Sequence, residues 1–161
     1  MVSDNQGKKC VPFKAGLFNM PTRTDEKVHL IGSHCSHCNT TYFPAREFCI
    51  NCSEKTEEVS LNRRGKILSF TIVRQAPPLF ETPYVLAYVD LPEKVRIFTQ
   101  ISSNHMDSLK MDMEVELVLE KFREDDKGNI VIGYRFKPVQ EIDNDPNYRE
   151  YPDWLCACSS V

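Results

Sequence analysis

LIGSHCSHCNTTYFPAREFCINC, residues 30–52, sets Cys35 and Cys38 two residues apart and then repeats that spacing at Cys49 and Cys52. Two such knuckles offer four thiolates, the full ligand set of a tetrahedral structural zinc ion. The ten residues between them, 39–48, allow a compact hairpin that brings the pairs face to face. A C-x2-C pair does not readily close a disulfide on itself, so a metal accounts for this spacing better than two bridges or four unrelated thiols. With every position filled by sulfur, no site is left for water or substrate, and the expected ion is structural rather than catalytic. His34 and His37 lie beside or inside the first knuckle, but four thiolates already suffice. They read as surface or knuckle-packing histidines, and His29 and His105 have no recognisable partner. Thr41 to Pro44 with Glu47 and Phe48 form the connecting hairpin, whose aromatics are expected over the metal module.

On either side the pattern is β. His29 to Ser33 reads as a short strand entering the first knuckle. Ser53 to Ser60 reads as a polar link. Lys66–Arg74, Tyr84–Leu91 and Val95–Ser102 are runs of β-branched and aromatic residues bounded by turn formers. Glu114–Phe122 alternates Val115, Leu117 and Leu119 against Glu114, Glu116 and Glu120, a period of two that makes it a strand despite its glutamates. A turn at 126–129 precedes Ile130–Val139, with Ile130, Ile132, Tyr134 and Phe136 on one face. Only a short helix fits, near His105–Met111. Five strands with short connections predict a mainly β chain, in which a metal ribbon is followed by a small Greek-key barrel of the OB type. Closure removes exposed sheet edges.

The 161 residues carry a net charge of −3, 27% charged residues and seven cysteines. A mildly acidic chain is poorly suited to wrapping polyanions, because phosphate binding depends on Lys and Arg displacing counterions. No apolar run approaches a membrane span. MVSDNQGKK lacks a signal-peptide core, and an odd cysteine count cannot form a complete disulfide set. A reducing cytoplasm is therefore expected. Cys10, Cys156 and Cys158 lie in irregular segments without a helix-entry motif that would activate a nucleophile, so they read as free or buried thiols. Cys156-Ala-Cys158 alone is an incomplete metal or redox pair. No catalytic residue is assigned.

Residues 1–28 form an N-terminal extension whose Val11, Phe13, Leu17, Phe18 and Met20 should lie against something. The ribbon is placed at 29–60, the barrel at 61–139 and an acidic, aromatic tail at 140–161. Tyr148, Tyr151 and Trp154 either fold back on the barrel or anchor a partner, since Trp and Tyr are enriched at interface hot spots. Pro77, Pro78 and Pro83 stiffen a loop tipped by Leu79 and Phe80. These two are candidate partner contacts, because a stiff loop loses little entropy on docking.

Three stretches, Leu30–Cys52, Arg63–Leu91 and Leu109–Phe122, together resemble the zinc-ribbon/OB-fold proteins that accompany thiolases and related acyl-CoA enzymes. The likeness covers nearly all of residues 30–138. It departs at Asn39 and Ser53, where Gly often follows a knuckle. It implies a rubredoxin-like ribbon and a non-catalytic accessory subunit. The partner implied is a thiolase-like catalytic subunit that makes or breaks a carbon–carbon bond on an acyl-CoA. The aromatic tail resembles that of the small subunits of benzoylsuccinyl-CoA thiolases, of anaerobic toluene breakdown. In that setting Arg63, Arg64 and Arg74 could attract coenzyme A phosphates at the subunit boundary; otherwise they are a solvated face. The alternative from another class is a single-stranded nucleic-acid binder, which OB barrels also provide. The acidic Glu114–Phe122 strand and negative net charge weigh against it. A rubredoxin-type iron would use the same four thiolates and would colour the protein red.

Overall fold

The structure, a computed structural model, describes residues 9–23 and 25–156, with the side chains of Trp154 and Cys156 outside the description. Cys158 also lies outside it. Among the described residues nine strands form: β1 Cys10–Pro12, β2 Ile31–Cys35, β3 Thr40–Tyr42, β4 Glu57–Ser60, β5 Arg64–Val73, β6 Tyr84–Asp90, β7 Arg96–Ile101, β8 Glu114–Glu124 and β9 Ile130–Pro138. The expected short helix is a single 3-10 turn, Met106–Ser108, and the tail carries α1 Val139–Asp143 and α2 Asp153–Cys156.

Strands β5, β6, β7, β9 and β8 close on themselves. Antiparallel pairs β5–β6, β6–β7, β8–β9 and β5–β8 are completed by a parallel contact of β7 with β9 at Ile101↔Phe136. This is the five-stranded barrel read from the alternating runs. Its interior is filled by Ile67, Val85, Val89, Ile97, Val115, Leu117, Ile132 and Phe136, each 0–1% exposed. Gly65 stands where a Cβ would come within 2.8 Å of the Asp90 carbonyl oxygen, so only glycine lets β5 and β6 approach at that corner.

The alternation of β8 breaks near its end. A register shift between Lys121 and Arg123 frees Phe122, whose ring lies over Gly133 of β9 in the space a Cβ would take. Val131 is buried along with Ile130 and Ile132, because β1 covers that part of β9.

The N-terminal extension does lie against the barrel. β1 adds to β9 in parallel register, Cys10↔Ile130 to Pro12↔Ile132. Residues 17–19 and 29–31 then pair as an antiparallel arm around the Phe18↔Leu30 bridge, with Leu17, Phe18, Val28 and Leu30 joining the core. The Asn19 side chain closes the arm: its Oδ1 accepts from the His29 amide at 2.6 Å and its Nδ2 donates to the Lys27 carbonyl at 3.1 Å. Cys10 is disulfide-bonded, which corrects the expectation of a free or buried thiol. Pairing of β1 with β9 holds its backbone in one place, which irregular sequence did not reveal.

The ribbon is a three-stranded antiparallel sheet, β3-β2-β4. Its third strand, β4, comes from the stretch read as a polar link. β4 forms because β2 presents a free edge to it, with Ile31↔Ser60 through His34↔Glu57 in register. Leu61 N–H donates to the Leu30 carbonyl at 2.9 Å, and both side chains are buried, so ribbon and barrel share one core. No helix among the described residues is long and apolar enough to cross a membrane.

Candidate metal centre and its surroundings

The knuckles sit at the ends of paired strands. Cys35 closes β2 and Cys38 follows its turn, while Cys49 and Cys52 flank the turn after Phe48, which bridges to Lys55. Both turns end on left-handed residues, Asn39 (φ 51°) and Ser53 (φ 62°), the two positions where glycine would be easier. Ser53→Gly should raise folding stability by about 1 kcal/mol, read as a higher denaturant midpoint at constant m-value.

The four sulfurs lie within 4.8 Å of one another, with Cys35 and Cys49 buried and Cys38 and Cys52 partly so. A tetrahedral zinc–thiolate site places its sulfurs about 3.8 Å apart, and Cys35 and Cys52 are 3.6 Å apart here. The donor set fits a soft divalent cation. Neither His34 nor His37 belongs to the cluster. His34 Nδ1 pairs with Thr41 Oγ1 at 3.0 Å, and His37 lies 3.7 Å from the Cys38 sulfur.

The protonation of the cluster points the same way. The Tyr42 hydroxyl donates to the Cys49 sulfur at 3.2 Å and draws that thiol down to about 6. Cys38 is pushed up to about 12, first by its hydrogen bond with Cys52 and then by burial. One negative charge is easy and the next is opposed, a conflict that a cation at the centre removes. Tyr42 is a contributor that cysteine spacing did not reveal. The next residue, Phe43, departs from expectation by turning away from the metal module to meet Tyr134 of β9 edge-on, with centroids 6.2 Å apart. Phe48 is 55% exposed.

Arg63, Arg64 and Arg74 are not brought together. Arg63 and Arg64 precede and open β5 and share Glu116 of β8, at 3.2 Å and 2.9 Å. Arg74 follows the far end of β5, about 30 Å along an extended strand, where it faces Asp107 at 3.8 Å. Arg63 is further tied to Glu150 of the tail and lies 14% exposed, so its guanidinium works as a clasp inside the chain.

The tail lies back along the barrel. Leu155 is 2% exposed, Tyr151 packs on the core and Tyr148 is half-buried, its hydroxyl pushed up by burial. Tyr148 and Tyr151 therefore face the chain's own barrel; the Trp154 side chain lies outside the described residues. Arg63→Ala should loosen this strap and cost about 1–3 kcal/mol, read as faster proteolysis within 140–156 and a lower unfolding midpoint. Leu79 and Phe80 stand out on the β5–β6 loop, 93% and 57% exposed.

A closed barrel with a sulfur-clamped ribbon on its N-terminal side defines a zinc-ribbon/OB-fold protein. Two family models match: "ChsH2, rubredoxin-like zinc ribbon domain" over residues 27–57 and "ChsH2, C-terminal OB-fold domain" over 58–120. A DUF35 domain-containing scaffold protein of Methanocaldococcus jannaschii is 42% identical over 71% of this chain and 85% of that protein. The benzoylsuccinyl-CoA thiolase subunit BbsA of Geobacter metallireducens is 40% identical over 69% of this chain and 75% of that one. A solved Ltp2–ChsH2(DUF35) aldolase chain matches with TM-score 0.54 and 26% identity, over 69% of this chain and 85% of that one. The chain belongs to the DUF35 family, with the ChsH2-type ribbon and OB domains.

Proposed function

We propose that this chain is a non-catalytic, zinc-carrying accessory subunit that assembles with a thiolase-like catalytic subunit acting on acyl-CoA. The observation that carries the reading is the four-cysteine centre of a DUF35 protein: its four sulfurs would fill every position of a tetrahedral ion, so a bound zinc would stabilise the ribbon without touching substrate. Cys35, Cys38, Cys49 and Cys52 would hold that ion. The named relatives support the rest, one as a thiolase subunit and another as a chain of an Ltp2–ChsH2(DUF35) aldolase. In this reading the complex cleaves or forms a carbon–carbon bond on a CoA thioester, with benzoylsuccinyl-CoA as the first substrate to test.

Arg63 is spent as a clasp, which leaves Arg64, 60% exposed beside Glu116, and Arg74, 70% exposed and 3.8 Å from Asp107, to meet a CoA phosphate. Arg64→Ala should raise the KM for CoA in the complex and leave kcat unchanged; an unaltered KM removes Arg64 from the ligand path. The assembly itself is tested by purifying the tagged full chain from its native host and identifying co-purifying subunits by mass spectrometry. A thiolase-sized subunit that turns over CoA thioesters only in the complex is the expected result. Turnover by this chain alone would overturn the reading. In a mobility-shift assay with single-stranded oligonucleotides, no binding is expected at physiological salt; tight, salt-sensitive binding would favour the nucleic-acid alternative.

A further inference from the structure

One face of the barrel carries more exposed aromatic surface than a solitary subunit needs. Phe13, just past β1, packs at a tilt against Phe122 of β8 with ring centroids 5.6 Å apart. Across an open groove of about 590 Å³ stand Phe98 of β7 and the loop residues Leu79 and Phe80. Tyr88 of β6 extends the strip, 5.1 Å from Phe98 in a directly opposed cross-strand pair. The six are between 39% and 93% exposed. At 150–250 Å² for a whole aromatic side chain, they leave on the order of 600 Å² of apolar surface in water. That is the upper end of what monomers show, and most of the roughly 800 Å² that each side gives to a standard protein–protein interface.

Charge narrows the occupant. Among the described residues, the groove is lined by only two charged side chains, Glu81 and Arg135. Arg135 is already neutralised by Glu120 at 2.7 Å and sits over the Phe122 ring, its Cζ 5.1 Å from the centroid. A face with no free cation does not attract a phosphate chain, whether of coenzyme A or of a nucleic acid. It suits an apolar protein surface, with aromatics at the centre and charge at the rim.

We infer that this barrel face, and not the C-terminal tail, is where the thiolase-like subunit docks. The inference rests on the accessory-subunit reading above. Tyr148 and Tyr151 are spent against the chain's own barrel, whereas the loop tip is held out by Pro77, Pro78 and Pro83, so little entropy is lost when a partner covers it. Two of the walls, Phe13 and Phe122, fall outside residues 27–120 that the family models match.

The test uses the full chain and the catalytic subunit recovered with it from the native host. A Leu79→Ser/Phe98→Ser double variant alters exposed side chains only, so its zinc content and unfolding midpoint should match the wild type. Ile50→Ser, on the ribbon tip and 62% exposed, is the control. The double variant should weaken binding of the purified catalytic subunit at least roughly thirtyfold, with Ile50→Ser unchanged. Undiminished binding by the double variant overturns the surface and leaves the accessory reading intact. Absence of any thiolase-like subunit with the wild-type chain overturns both. A wild-type dimer that the double variant converts to monomer assigns the face to a second copy instead, and also overturns the inference.

Discussion

Cys49→Ser is expected to empty the metal site and unfold the ribbon, reducing zinc from about one ion per chain to near zero by elemental analysis. The ribbon has little else to hold it. Its three strands are five, three and four residues long, and among the described residues the buried apolar side chains near them, the ligand cysteines apart, belong to the seam with the barrel. Structural zinc supplies about 10–16 kcal/mol of apparent binding energy in small metal domains, against a total folding stability of about 5–15 kcal/mol for a whole protein. Cys49 is the most telling ligand to remove, since it is buried and its sulfur also holds the Tyr42 hydroxyl. Chelation of the wild-type chain should reproduce the result, with the barrel strands retained in far-UV circular dichroism. A Cys49→Ser protein with unaltered melting would show that the sulfurs do not hold a structural ion.

Phe136→Ala should cost about 3–5 kcal/mol, enough to leave the barrel marginal. Phe136 is wholly buried at the one place where β7 meets β9, opposite Ile101, and it also stands across from Leu117 of β8. Its carbonyl accepts the Ser102 amide at 2.8 Å, which continues the seam beyond that single registered pair. Truncation leaves a cavity at the point of closure, where few backbone hydrogen bonds can compensate. Urea unfolding should show a lower midpoint, and amide exchange should quicken first in β7 and β9. A loss below 1 kcal/mol would mean that the seam is held elsewhere, with β1 the first place to look.

The barrel was legible because strands buried on one face write their period into the chain. Val115, Leu117 and Leu119 alternate with glutamates, and all three are inside. β4 was not legible: Glu57, Glu58 and Ser60 carry no apolar signal, and the strand exists only because β2 offers it an edge. β1 is the same case, three residues paired to β9 across more than a hundred positions. Phe98 could have been found, since inward Ile97, Thr99 and Ile101 leave it pointing out. Phe13 and Phe122 could not, as one depends on a long-range strand pairing and the other on a bulge.

The metal centre and the five-strand closure were written locally, in cysteine spacing and in side-chain alternation, because ligand number and pleat are properties of neighbouring residues. The fate of the arginines and of the aromatic groups was settled by folding. Glu116 and Glu150 claim Arg63, the tail tyrosines turn inward, and six apolar side chains from distant segments meet on one open face. Charge pairing and surface patches depend on which remote residues become neighbours, and only the folded chain specifies that.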